Sequence, residues 1–210
     1  MPLYKTIQFS STTTIHIWKI EEDFNDLFDC VALTDKNTVR VFSMKSEQHQ
    51  RGFMSVRMLL QHAGYKDSDL IYDDSGKPHL NNGKHISISH SHEFSAIILS
   101  DVNIGIDLEL RREKVALLAD KFCDIELAYL DEDDTNDYIS RLTVIWGVKE
   151  SIFKIRNEIG ISFKDHIVVH PFNMPAAKAT ATLDFNGSKT DFEIYFEEFE
   201  TYTLVYAFEK

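Results

Sequence analysis

An α+β fold is predicted for this chain by three features of its pattern. Strand-like and helix-like stretches mix without the strict alternation that builds a parallel sheet. From Ile167 onward the chain is a succession of strand-like runs broken by the tight-turn pair Asn186-Gly187, the pattern of an antiparallel meander. One stretch, Arg141 to Arg156, has clear helical periodicity, with Leu142, Ile145, Trp146, Ile152 and Phe153 on a single stripe.

Taken in order, Thr13 to Ile20 alternates apolar and polar residues and is predicted as a strand. The run EEDFNDLFDC begins acidic and becomes helix-like. Ser46 to Ala63 places Phe53, Val56, Met58, Leu59 and Leu60 around a helical stripe, with Gly64 as C-cap. Leu70-Ile71-Tyr72 is a short strand, and Asp73-Asp74-Ser75-Gly76-Lys77-Pro78 is turn chemistry. His85 to Ser91 and Phe94 to Ser100 form two consecutive strands. On the first of them Ile86 and Ile88 take one face and Ser87, Ser89 and Ser91 the other, with His90 where the strand ends. A strand follows over Ile104 to Glu109. A helix is predicted within Val115 to Leu130, and Asp131-Glu132-Asp133-Asp134 is an acidic loop or helix start. The C-terminal strands are Ile167-Val168-Val169-His170, Ala179 to Phe185, FEIYFEEF and TYTLVYAFE.

With 210 residues, 24.3 kDa and 43% hydrophobic residues, the chain can build one large domain or two small ones. No run approaches the ~20 apolar residues of a membrane span. The start MPLYKTIQFSSTTT lacks the basic-then-apolar order of a secretory signal, so a cytoplasmic protein is expected. Cys30 and Cys123 have apolar neighbours and are expected as buried free thiols. The formal net charge of −12 argues against nucleic acid or anionic lipid as a partner, because such a surface needs a concentrated basic stripe. Any phosphate must be met locally, by Arg51 and Arg57, by Lys77 with Lys84, or by the cluster Arg111-Arg112-Glu113-Lys114. That cluster is either a solvated loop or a docking patch for an acidic partner.

The chemistry concentrates in two runs. In Gly105-Ile106-Asp107-Leu108-Glu109 the two carboxylates project from one face of a strand, roughly 7 Å apart along the backbone, a placement that suits a hard cation. In Trp146-Gly147-Val148-Lys149-Glu150-Ser151-Ile152-Phe153-Lys154, Glu150 and Lys154 are adjacent on a helix surface, adding a third carboxylate and a phosphate-neutralising ammonium. Lys149 falls inside the apolar stripe, where it either snorkels past the core edge or reaches an anion at the rim. Each residue alone also has a structural explanation. Asp-x-Glu is common on exposed strands, Glu150 with Lys154 makes an ordinary surface pair, and His90 suits a turn cap.

Order and spacing join these pieces. Gly76-Lys77-Pro78, Ile88-Ser89-His90-Ser91, Gly105 to Glu109, and Trp146-x-x-Lys149-Glu150-Ser151-x-x-Lys154 resemble, in that order, the motifs of the phosphopantetheinyl transferases of the longer, two-lobed, surfactin-synthetase-activating type. The resemblance implies two similar α+β lobes related by pseudo-twofold symmetry, residues 1–101 and 102–210, with the active site and coenzyme A between them. It implies transfer of 4′-phosphopantetheine from coenzyme A to a serine of an apo acyl or peptidyl carrier protein, releasing adenosine 3′,5′-bisphosphate. Carried over by motif, Asp107, Glu109 and Glu150 hold Mg²⁺ or Mn²⁺, Glu150 is the base and Lys154 assists the leaving group. Arg51, Lys77, Pro78, Ser89 and His90, with Asp107 and Lys154, contact coenzyme A. Arg111, Arg112 and Lys114 are candidates for carrier docking. The protein is expected to act as a monomer without nucleic acid or membrane. Two other readings are an inactive coenzyme A or carrier-binding module of the same fold and a magnesium-dependent hydrolase of nucleotide diphosphates.

Overall fold

The computed structural model describes residues 3–210. After Val102 the chain divides into two compact units.

The N-terminal unit is built on a four-stranded antiparallel sheet. It contains β1 (Leu3–Gln8), β2 (Thr14–Lys19), α1 (Phe24–Cys30), α2 (Asp35–Ser43), α3 (Glu47–His62), β3 (Leu70–Tyr72), β4 (Pro78–Leu80), β5 (His85–Ser91) and β6 (Phe94–Ser100). The sheet order is β1-β2-β6-β5, and β3 and β4 form a separate hairpin. Phe53, Met54, Val56, Leu59 and Leu60 of α3 are buried in one core with Leu27 of α1 and Trp18, Ile86, Ile97 and Leu99 of the sheet. The periodic helix and the β5–β6 strand pair match the sequence expectation. The sequence reading did not identify α2, and Val41 is the one buried residue it contributes. Its anchor is otherwise the Phe42 ring, packed on Phe24 and Phe28 of α1 at 5.8 and 5.3 Å between centroids, and a polar network. The Thr34 side chain caps its N-terminus, and buried Asp67 accepts hydrogen bonds from the Thr34 N–H and the Asn37 side chain while pairing with Arg57 at 3.1 Å.

The C-terminal unit is an antiparallel sheet of five strands, in the order β7-β11-β10-β9-β8, with one long helix across it. The elements are β7 (Ile104–Leu110), α4 (Ala119–Phe122), α5 (Thr135–Arg156), α6 (Phe163–His166), β8 (Ile167–Val169), β9 (Lys178–Phe185), β10 (Ser188–Phe199) and β11 (Tyr202–Glu209). The β9–β10 hairpin turns at Asn186 and Gly187, both at positive φ, as the tight-turn pair predicts. Helix α5 begins at Thr135, where the Asp134 side chain accepts the Asp137 N–H as N-cap, and ends at Asn157 in the left-handed conformation.

Four expectations change here. The predicted helix within Val115 to Leu130 is broken into a 3-10 turn (Glu113–Leu118), α4 and a second 3-10 turn (Ile125–Tyr129). The break falls where Glu126 turns inward and takes the Asp124 N–H at 3.0 Å. Second, α5 is buried around most of its circumference: Val144 and Val148 are enclosed along with Leu142, Ile145 and Ile152, because the sheet covers one side and the Glu113–Leu118 segment another. Third, Lys149 neither snorkels nor reaches a rim. It is 0% exposed and pairs at 2.7 Å with Glu126, itself 1% exposed. Of the cysteines, Cys123 is buried as expected, whereas Cys30, the last residue of α1, is exposed.

Two glycines set how closely α5 approaches the sheet. A Cβ at Gly105 would lie 2.0 Å from the Ser151 carbonyl oxygen, and one at Gly147 2.6 Å from Val205 Cγ2. Gly105→Ala must therefore push helix backbone away from β7. A loss of about 3 kcal/mol, at the top of the usual overpacking range, is expected by urea denaturation; a loss under about 1 kcal/mol would contradict this packing.

Among the described residues no helix is long and apolar enough to cross a membrane.

Candidate active site

The site grows from the contact between β7 and α5. Gly105, Asp107 and Glu109 alternate with Ile104, Ile106 and Leu108, so the glycine and both carboxylates share a face, and that face carries the helix. Gly105 lies against Ser151 and Ile155, and the Cβ position of Gly147 is 3.6 Å from Asp107 Oδ2. Farther along the strand, the Trp146 indole N–H donates to Glu109 Oε1 at 3.4 Å. Lys154 closes the other end: its ammonium donates to Asp107 Oδ1 and to the Ile106 carbonyl, both at 2.8 Å. Asp107, Glu109, Glu150 and Lys154 are thus brought into one cluster within the C-terminal unit.

The cluster is electrostatically crowded. Burial first, then the Asp107 charge, pushes the Glu109 carboxyl up to about 7; Glu150 adds to this, while the Trp146 hydrogen bond and Lys154 oppose it. Burial and then Asp107 raise Glu150 as well, again against Lys154. A carboxyl that holds its proton more tightly when folded favours the fold at low pH, and that contribution is lost as pH rises through its folded pKa. Without divalent cations, the unfolding free energy is expected to fall between about pH 4.5 and about 7 and then level, with Glu109→Gln flattening the slope. Urea denaturation across that range measures both, and identical slopes in the two proteins would contradict the crowding.

Among the described residues no three His, Cys, Asp or Glu side chains already stand in a metal-ligating arrangement, and Lys154 lies on Asp107 instead. The donor chemistry nonetheless fits a hard divalent cation. The cluster offers carboxylate oxygens alone, and their mutual repulsion exceeds what one ammonium offsets.

Beside Glu109 and Trp146 a cavity of about 210 Å³ opens, walled by Leu110, Val115, Leu118, Phe122 and Thr143, with Arg112 and Lys114 among its lining. Leu117, on the same turn, is 82% exposed. Arg111 is largely committed elsewhere, donating to the carbonyls of Tyr202 and Glu200 and pairing with Glu198 at 3.1 Å.

The remaining candidates belong to the N-terminal unit. Arg51 on α3 donates to the carbonyls of Glu22 and Ile20, at 2.7 and 3.0 Å. The exposed His90 places its ring 3.5 Å from the Cβ position of Gly52, the residue after Arg51. Ser89 is buried, as are Ser87 and Ser91 on the same strand. Lys77 and Pro78 follow a turn organised by Asp73, whose carboxylate accepts the N–H groups of Ser75 and Lys77 and pairs with His79. The turn chemistry was visible in the sequence, but the central role of Asp73 was not singled out. Helical periodicity puts Trp146 on the apolar stripe, and its polar contact with Glu109 emerges only in the structure. The signal for it lay in its place one helical turn before Glu150.

Comparison with known proteins decides the family. The model of the 4′-phosphopantetheinyl transferase superfamily matches residues 103–207, half of the chain and nearly all of the C-terminal unit. The chain belongs to this superfamily. It is also similar to the 4′-phosphopantetheinyl transferase gsp of Aneurinibacillus migulanus, with 28% identity over 101 residues, 47% of this chain. That match spans 43% of the relative's length. The residues the superfamily model covers include Asp107, Glu109, Glu150 and Lys154, so the charged cluster lies inside the matched region.

Proposed function

We propose that the protein transfers 4′-phosphopantetheine from coenzyme A to a serine hydroxyl of an apo acyl or peptidyl carrier protein. The observation that carries this reading is the assembly of Asp107, Glu109, Glu150 and Lys154 at one contact between strand and helix, inside the region that matches the superfamily. In the reaction the serine oxygen attacks the pantetheine-bearing phosphorus, and the bond from that phosphorus to the bridging pyrophosphate oxygen breaks. The departing group is adenosine 3′,5′-bisphosphate. Glu150 accepts the serine proton, directly or through a water; burial and the Asp107 charge raise the proton affinity of its carboxylate. Lys154 neutralises charge that builds on the leaving phosphate. A divalent cation, Mg²⁺ or Mn²⁺, held by Asp107, Glu109 and Glu150, would supply charge neutralisation for the pyrophosphate when bound. On the family resemblance, Arg51, Lys77, Pro78, Ser89 and His90 contact coenzyme A.

The similar plan of the two units, each an antiparallel sheet with a long helix packed on it, supports a duplicated lobe. Carrier proteins are acidic, and a chain of net charge −12 must meet them through a local basic or apolar surface. Arg112 and Lys114, with exposed Leu117 beside them, suit that role; Arg111 serves mainly to hold the turn.

The test is product analysis. With coenzyme A, Mg²⁺ and an apo carrier, adenosine 3′,5′-bisphosphate should appear mole for mole with coenzyme A consumed, and only while carrier is present. Equal release without carrier would indicate a hydrolase and overturn the proposal.

A further inference from the structure

We propose that Trp146 is a positioning residue for Glu109, holding that carboxylate for cation binding through its indole N–H, and that the buried Lys149–Glu126 pair fixes the wall against which the indole stands. This deepens the transferase reading and rests on Glu109 being a cation ligand in it. The indole donates to Glu109 Oε1 at 3.4 Å, while its ring is held edge-on by Phe122, 5.1 Å between centroids, and by Phe163, 5.5 Å. Phe163 is in turn tethered. Its carbonyl accepts from the Lys149 ammonium at 2.9 Å, and that ammonium also donates to the Ile167 carbonyl at 2.7 Å and pairs with Glu126. Glu126 is itself locked by the N–H groups of Val169 and Asp124. A continuous set of contacts therefore runs from a fully buried ion pair to one oxygen of the carboxylate cluster. A tryptophan serving only as core filler would not need its N–H turned to that oxygen, whereas ligating groups commonly depend on such a partner for their orientation.

Trp146→Phe keeps an aromatic ring and removes the N–H. Mn²⁺ binding read by electron paramagnetic resonance, with wild type and variant compared at matched folding by circular dichroism, separates the roles. The expected result is a dissociation constant for Mn²⁺ raised about 10–100-fold, with thermal melting little changed. In transfer assays the variant's loss should appear mainly as a higher cation requirement, more than as a lower kcat at saturating cation. Equal Mn²⁺ affinity in the two proteins would overturn the proposal, and so would a wild type that binds no Mn²⁺. Transfer activity of the wild type is read separately, so a failure of the transferase reading is distinguishable from a failure of this one.

Discussion

Glu150→Gln is expected to lower the rate of phosphopantetheine transfer by about 10²–10⁴-fold while leaving the protein at least as stable as the wild type. The two effects have one cause. Glu150 stands on α5 beside Asp107 and Lys154, and burial together with the Asp107 charge makes its ionised form costly. A neutral amide of the same shape removes repulsion from the cluster, and with it the proton acceptor and cation ligand that the proposed mechanism assigns to Glu150. Activity is lost where stability is kept or gained, as expected where like charges are gathered for chemistry. Single-turnover transfer and a melting curve on the same preparation read both. A variant that transfers at the wild-type rate would remove Glu150 from the mechanism, and one that melts much earlier would make its role structural.

Lys149→Met is expected to cost about 3–5 kcal/mol of stability, because it leaves Glu126 buried without its cation. Burial works against the Glu126 charge, but the Lys149 hydrogen bond and charge, aided by the Val169 and Asp124 N–H groups, hold its pKa below the ordinary range. Once the ammonium is gone, burial dominates and the carboxyl favours its protonated form. The variant should therefore lose further stability as pH rises through the new, raised pKa, where the wild-type pair loses none. Adding Glu126→Gln should recover part of the loss and remove that pH dependence. Urea denaturation at two pH values distinguishes the outcomes, and a single variant within about 1 kcal/mol of wild type would contradict the pairing.

What the sequence made legible was whatever periodicity or short spacing controls. The placement of Asp107 and Glu109 on one face follows from strand alternation, and the neighbouring positions of Glu150 and Lys154 follow from the helical repeat. That these two pairs meet depends on packing: Gly105 and Gly147 let α5 settle on β7 and β11, and in sequence they read only as members of motifs. Lys149 is out of place on its apolar stripe, but its partner Glu126 sits on a different segment, where no local pattern marks a buried acid. For the same reason the predicted helix between Val115 and Leu130 did not show its break at Asp124, which depends on that inward-turned glutamate. Helix α2 is short, and what holds it, a cap, Asp67 and the Phe42 ring on Phe24 and Phe28, lies in partners on other segments that local periodicity does not mark. Trp146 belongs to both worlds, its ring in the core and its N–H on Glu109, and periodicity reports only the first.

The proposed reaction ends with a modified carrier serine. It is tested most directly by mass spectrometry of apo carrier proteins of the fatty acid, polyketide and peptide types after incubation with the protein, coenzyme A and Mg²⁺. At least one carrier should gain the mass of a single 4′-phosphopantetheine on its serine, and Glu150→Gln should leave that carrier unmodified over the same time. Carriers of every type remaining intact with the wild-type protein would contradict it.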